Sequence, residues 1–320
     1  MAKVMFVGDT HFQSESPSSR KEDPEHYRQT QLDKLENIKQ ICLQEEIHHL
    51  IILGDVFNSS INIYTPYLTK LYEVFRDFKN NGIILYSIIG NHDMYYQNDS
   101  EFDKTLLYQA FALGLIEHLD TLEVGPVTIT GVDFLKDFPK ASNSTSYKVL
   151  VGHCFYENER FGGVGNGNLT KEKCKDLGYN VYILGHDHTP YETIKELTYE
   201  VIRPGSLMRG TSKTCNLYRN INVEILNTNT FTWEEREIPC KPGTEVFIEK
   251  AVLSKSKDLD LNLEDLLENF TASKGVDIYN IIDEREETAK EILKDKYDEV
   301  IKLINMYLES RGVFRTNTEV

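Results

Sequence analysis

Five apolar runs in this chain stop abruptly in Asp, Asn or His: KVMFVGD, HHLIILGD, GIILYSIIGNHD, YKVLVGH and NVYILGHDH. Between the first three lie QTQLDKLENIKQICLQEEI and PYLTKLYEVFRDFKNN, whose apolar residues recur at helical spacing. Short apolar runs alternating with amphipathic helices specify parallel strands covered on both faces by crossover helices. In such sheets functional residues gather beyond the carboxyl ends of the strands. Every one of these polar clusters falls there. After a helix expected near 102–114, strand-like runs follow: VTITGVDF, YKVLVGH, NVYILGHDH, ETIKELTYEVIRPGSL, INVEILN and TFTWEEREI. The second half repeats the logic of the first, so the expected fold is an α/β sandwich of two mixed sheets flanked by helices, with the site at one edge. Around CKPGTE the composition changes to an acidic, helix-rich stretch. This places a main domain over 1–240 and a smaller capping and helical region over 241–320.

With 320 residues the chain has room for one large core and an appendage. Hydrophobic residues make up 40% and charged residues 27%, which is ordinary for a globular protein, and no apolar run is long enough to span a bilayer. No basic stretch followed by an apolar segment and a small-residue cleavage site opens the sequence. The expectation is a cytoplasmic protein without membrane contact. The five cysteines, Cys42, Cys154, Cys174, Cys215 and Cys240, are scattered and lack CxxC spacing, so they read as reduced thiols. A net charge of -16 excludes a protein that coats nucleic acid through bulk electrostatics. It leaves room for a nuclease, because bound divalent cations create a local positive field where a phosphate must sit.

The chain has nine histidines. Five of them, His11, His92, His153, His186 and His188, stand at strand ends beside Gly, Asp or Asn. Imidazoles and carboxylates without thiolates suit Mn, Fe, Zn or Mg. A shared carboxylate bridges two ions about 3.5–4 Å apart, the spacing that clamps both oxygens in phosphoryl transfer.

The blocks GDTH (Asp9, His11), GDVF (Asp55), GNHD (Asn91, His92), VGH (His153) and GHDH (His186, His188) resemble, in order and context, the five blocks of calcineurin-like metallophosphoesterases. The resemblance runs over roughly residues 4–210 and implies a four-layer fold with two divalent metal ions. One ion would take Asp9, His11 and His188, the other Asn91, His153 and His186, with Asp55 bridging. His92 would face the substrate phosphate as a catalytic group, and Asp93 would fix its ring. The attacking water would be ionised by the cation pair.

Protein phosphatases of this superfamily carry GDxVDRG at the second block, and the Arg that clamps a phosphoprotein is missing from GDVFNSS here. GDVF, GNHD, GHDH and the following RPGSL (Arg203–Leu207) look instead like the nuclease subunit of SbcC–SbcD-type DNA repair complexes and their phage counterparts. That implies a Mn-dependent DNA exonuclease or endonuclease acting on single- or double-stranded ends, a capping region, docking on an SbcC-like coiled-coil ATPase, and a homodimer. One departure is Asn58, where the nuclease family often has histidine. The rival readings are a cyclic nucleotide phosphodiesterase and a non-catalytic scaffold.

Other residues read more plainly. Asp187 is structural, His48 and His49 belong to a helix–strand turn, His26 and His118 are surface residues, and Trp233 is packing. LNLEDLLENFTASKG is either a docking helix or a cover for its own core. The segments Gln13–Arg28 and Glu157–Asn168 flank the site, and Arg20, Lys21, Arg28, Arg160 and Arg209 offer contacts to a DNA backbone, although solvated loop is the commoner fate.

Overall fold

The computed structural model describes residues 2–95, 98–142, 146–157, 168–212 and 214–248. Its elements run β1 (Lys3–Val7), α1 (Pro24–Gln44), β2 (His49–Ile52), α2 (Thr65–Asn80), β3 (Ile84–Ser87), α3 (Leu106–Ala112), β4 (Glu117–His118), β5 (Thr121–Val124), β6 (Val127–Val132) and β7 (Tyr147–His153). The chain continues through β8 (Phe155–Tyr156), β9 (Asn168–Leu169), α4 (Lys171–Leu177), β10 (Val181–Gly185), β11 (Tyr191–Lys195), β12 (Glu200–Arg203), α5 (Thr214–Tyr218), β13 (Asn222–Asn227), β14 (Thr232–Glu237) and α6 (Gly243–Val246).

Two six-stranded sheets result, ordered β14-β13-β1-β2-β3-β4 and β11-β12-β10-β7-β6-β5, with β8 and β9 forming a separate pair. In each large sheet four neighbouring strands are parallel; antiparallel pairings are added on the β13–β14 side of the first sheet and at both ends of the second. The side-chain period of two explains the layers. Met5 and Val7 of β1 pack with Leu35, Ile38, Phe75 and Phe78 of α1 and α2. Val4 and Phe6 turn the other way and meet Val149, Val151 and Ile183 of the second sheet. Leu150, Tyr182 and Leu184 on its far face pack with Cys174 and Leu177 of α4. Helices, sheet, sheet and helix therefore stack in four layers, as the alternating sequence pattern requires.

The helices show why they form where they do. Asp23 accepts the amide of His26 at 2.9 Å and Pro24 follows it, so α1 begins earlier than the apolar spacing alone suggests. The expected strand ETIKELTYEVIRPGSL is a hairpin, β11 paired antiparallel with β12. The helix expected near 102–114 is a 3-10 turn, Asp99–Lys104, followed by α3, with Thr105 capping the amide of Tyr108 at 3.2 Å.

The buried stripe of α1 carries three polar residues among its apolar ones, Gln31, Lys34 and Lys39. Gln31 clamps the loop after β1, donating to Gln13 O at 2.9 Å and accepting from the Gln13 amide at 3.0 Å. Lys34 Nζ donates to Leu207 O at 2.6 Å, beside Met208 Sδ at 3.6 Å. Burial, with Arg209, Arg20 and Arg219 nearby, lowers the Lys34 ammonium to about 7. An unfolded lysine titrates near about 10.4, so between those values the unfolded chain holds a proton that the native chain has lost. Stability from this group therefore rises with pH across that window, and the penalty for the buried charge is complete below it. The stability difference between wild type and Lys34→Met should shift in favour of wild type from pH 7 to pH 10, by at most about 1.4 kcal/mol per unit. Urea midpoints of both proteins at four pH values would show it, and parallel curves would refute it.

Among the described residues no helix is long and apolar enough to cross a membrane. Cys42, Cys154, Cys174 and Cys240 are free thiols. Trp233 packs on Phe6, its ring centroid 5.1 Å away. Past residue 240, Val246 and Phe247 pack with Leu217, and Phe247 bridges Arg20. LNLEDLLENFTASKG and nearly all of the expected 241–320 region lie outside the described residues.

Candidate metal centre

All the expected ligands stand at or just beyond the carboxyl ends of β1, β2, β3, β7 and β10, His153 being the last residue of β7. The turns after β1 and β2 keep pairing after the strands end. His11 N donates to Asp55 O and Phe12 N to Val56 O, both at 2.9 Å, and the Thr10 hydroxyl also reaches Val56 O at 2.9 Å. Asp9 and Asp55 are thereby fixed side by side and are each 1% exposed.

The donors form two groups that share Asp55. Asp9, His11, Asp55 and His188 make the first, and Asp55, His153 and His186 the second. His11 Nε2 lies 2.8 Å from His188 Nε2 and 3.5 Å from Asp55 Oδ2, and His188 Nε2 lies 3.6 Å from Asp9 Oδ2. On the other side His153 Nε2 is 3.3 Å from Asp55 Oδ2 and 3.0 Å from Asn91 Oδ1, which brings Asn91 into the second group. One oxygen of Asp55 thus faces a histidine of each group. Its other oxygen accepts the backbone amide of His92 at 2.9 Å.

The arrangement fits cations better than protons. His153 Nδ1 lies 2.8 Å from Leu53 O, and a carbonyl only accepts, so Nδ1 carries the hydrogen and Nε2 presents a lone pair inward. Among the described residues no Lys or Arg pairs with Asp9 or Asp55, and only histidines face these two buried carboxylates. Burial opposes ionisation of Asp55, yet His153, His92 and His11 hold it well below the usual carboxylate range. Burial raises Asp9. Burial also disfavours a charged His153, but without cations Asp55 and Asp9 outweigh it and lift the ring to about 9, so a cation entering the site would replace the Nε2 proton and take up the lone pair. His11 and His186 are held well below the ordinary value, by burial first and then by His188 and His153 respectively. The oxygen and nitrogen donors, without a thiolate, match divalent ions of the Mn, Fe, Zn and Mg kind.

The backbone is bent to achieve this. His11, Asp55 and His186 take φ values of 42°, 48° and 85°, a left-handed conformation that costs a residue with a side chain about 1–3 kcal/mol. Such strain persists where surrounding structure over-determines it. Gly90 shows how tight that structure is, since a Cβ there would lie 2.1 Å from Asp55 Oδ1.

His92 stands at the edge of the first group, its ring 4.8 Å from that of His11. The structure corrects one expectation here. The ring is held by Asn58, whose backbone carbonyl lies 2.8 Å from His92 Nδ1. Asp93 is turned away, its carboxylate accepting the amides of Gly90, Phe57 and Val56 at 3.0, 3.2 and 3.3 Å. It stitches the GNHD turn to the GDVF turn from behind. Burial, with the charge of Asp55, pushes its pKa up to about 7. The Asn58 side chain is not needed for this orienting contact, because any residue supplies the carbonyl.

Two further expectations change. Arg20 and Arg209 are buried and hold backbone: Arg20 donates to Arg209 O at 2.9 Å, and Arg209 donates to Lys241 O at 2.7 Å and Arg219 O at 2.8 Å. They brace the loop after β12, whose Leu207 amide donates to Asp9 O at 2.9 Å. They are unavailable to a DNA backbone. Arg28 donates to Ser14 O at 2.8 Å and lies over the exposed ring of Tyr64, whereas Lys21 is exposed and Arg160 lies outside the described residues. Sequence reasoning missed Gln31, Lys34 and Arg219 as supports of the centre, and gave Arg209 a different role. A lysine on the apolar stripe of α1 was the available signal.

Three kinds of comparison bear on kinship. No curated protein matches the chain. Solved structures with a similar outline include a hypothetical protein from Pyrococcus horikoshii, 13% identical over 80% of this chain and 93% of its own, with a TM-score of 0.39. Another is a dimetal phosphatase from Danio rerio, 10% identical over 74% of this chain and 99% of its own, with a TM-score of 0.43. A third, Vacuolar Protein Sorting 29 from Cryptosporidium parvum, is 13% identical over 73% of this chain and 95% of its own, with a TM-score of 0.33. The model of one family, the calcineurin-like phosphoesterases, matches residues 2–190, a span that encloses Asp9 to His188. That is more than half of the chain, and the protein belongs to the calcineurin-like phosphoesterase family.

Proposed function

We propose that this phosphoesterase is a DNA nuclease that hydrolyses phosphodiester bonds with two divalent metal ions, Mn among them, as the nuclease subunit of an SbcC–SbcD-like complex. The observation that carries the hydrolytic part is the pair of donor groups joined by Asp55 Oδ2, with His92 held at their edge. Bound there, two cations supply Lewis-acid polarisation of the phosphate and lower the pKa of a water. The protein's own groups do the rest. Asp55 keeps its second oxygen on the His92 amide, which fixes the spacing between bridge and catalytic ring. Asn58 O holds the hydrogen on His92 Nδ1, so Nε2 is the atom that meets the phosphate or exchanges a proton with the leaving oxygen.

DNA is favoured over a phosphoprotein because GDVFNSS lacks the clamping Arg of the protein phosphatases, and because GDVF, GNHD, GHDH and RPGSL together resemble the SbcD-type pattern. An SbcC-like ATPase follows from that resemblance, as does a homodimer. A cytoplasmic site of action agrees with free cysteines and with a nuclease that meets DNA ends. The deciding experiment incubates the protein with end-labelled single- and double-stranded DNA and with a small aryl phosphodiester, in Mn and after chelation. Mn-dependent DNA cleavage is expected. Cleavage of the small diester alone would refute the nuclease reading and leave a nucleotide phosphodiesterase. No cleavage of either would favour a scaffold.

A further inference from the structure

Arg203 closes β12, and its register partner across the antiparallel hairpin is Tyr191. Its guanidinium carbon lies 4.0 Å from the centroid of the Tyr191 ring and 5.6 Å from that of Tyr156. The strand end that carries it is locked to the metal-binding turns. Ser206 N donates to His188 O at 3.2 Å, and Gly8 and Gly205 pack so closely that a Cβ on Gly8 would lie 1.8 Å from Gly205 O. Tyr191 itself follows His188 by three residues and is 45% exposed.

The unusual property of Arg203 is that its donors are unspent. Its Nε is buried and without a hydrogen-bond partner, and among the described residues its guanidinium donates to no acceptor. Asp187 acts on it electrostatically, but that carboxylate is occupied by the Thr189 amide at 3.1 Å and forms no ion pair with Arg203 among the described residues. Arg20, Arg209 and Arg219 contrast with it, each committing its guanidinium to protein oxygens. A guanidinium stacked on a ring, with a fork of uncommitted N–H groups, is pre-set to accept a phosphate bidentately.

We infer that Arg203, presented by Tyr191, clamps a backbone phosphate of the strand next to the scissile bond, so that the substrate is recognised through more than the phosphate being cut. The inference rests on the DNA-cleaving reading of the same site. It predicts a preference for a strand over an isolated diester, because a single phosphodiester has no neighbouring phosphate for Arg203 to hold.

The test compares wild type, Arg203→Gln, Arg203→Lys and Tyr191→Leu on an oligonucleotide and on a small aryl diester in Mn. Arg203→Gln should raise KM for DNA about tenfold, with a smaller change in kcat, and lower the DNA-to-diester ratio of kcat/KM about tenfold. It should also reduce the slope of log affinity against log salt by about one. Arg203→Lys should recover only part, since an ammonium is a point charge without the fork. Tyr191→Leu should change the same ratio in the same direction, which keeps the test sound if Arg203→Gln folds poorly. Melting temperature and bound metal report folding. Equal losses on both substrates would overturn the clamp and assign Arg203 to building the metal centre. An unchanged KM for DNA would overturn the clamp alone. A wild type that cuts the diester but not DNA would remove the nuclease reading and the clamp together.

Discussion

Replacing Asp55 by Ala is expected to lower phosphoester hydrolysis by about 10³-fold, the upper end of the cost of losing one preorganised group at a reacting centre. The two donor groups have this one residue in common, and its Oδ2 stands 3.5 Å from His11 Nε2 and 3.3 Å from His153 Nε2. Without it, the first group keeps Asp9, His11 and His188, and the second keeps Asn91, His153 and His186 with no carboxylate at all. The second ion should be lost first. Metal analysis after dialysis should give a stoichiometry near two per wild-type chain and one or fewer per variant. Asp55→Asn preserves an oxygen for the His92 amide and removes the charge, so it separates the two duties of the side chain. It should keep the melting temperature of the metal-free protein and lose the activity. A variant that retains both ions and its activity would refute the bridging role.

His92→Ala should behave differently. His92 belongs to neither donor group, and its Nδ1 is engaged by Asn58 O at 2.8 Å. Loss of a positioned acid or transition-state donor costs about 10²–10⁴-fold, so kcat should fall by that much while both ions stay bound. The backbone amide that Asp55 needs is retained in the variant. The leaving group provides the sharper readout. With a good leaving group such as a nitrophenolate, which departs without a proton, the loss should shrink. If the loss is equal for good and poor leaving groups, His92 acts on the phosphate rather than on the departing oxygen. Persistent full activity would remove it from the mechanism.

The cluster of candidate ligands was legible in the sequence because each of its residues sits at a break between apolar strand and polar turn, and five such breaks leave few folds open. Asp9 and His11 follow β1, Asp55 follows β2, and the pattern repeats at β7 and β10. Supports of the ligands were less legible, for a physical reason. Asn58 acts through its carbonyl, an atom every residue has, so its identity carried no signal. Asp93 lies beside His92 in sequence, but the turn after β3 sends the two side chains apart, toward backbone amides and toward the centre. Arg20 and Arg209 look like surface cations in a polar segment, and only the closing of the loop after β12 over α1 buries them. The short strands β4, β8 and β9, two residues each, exist by tertiary pairing and have too few residues to show a period.

The origin of the ligands has one more consequence. Asp9, His11, Asp55 and Asn91 hang from one sheet, and His153, His186 and His188 hang from the other, and between the sheets lies a core made mainly of Val, Ile, Leu and Phe side chains. Ions coordinated from both sides would act as rivets across that seam, tying the start of the chain to a segment almost two hundred residues along it and removing conformations from the opened state. At a hundredfold excess over its dissociation constant, one such ion adds about 2.7 kcal/mol to the folded state. For this protein the supply of metal would set how firmly its two sheets stay together as well as how fast it hydrolyses a phosphoester.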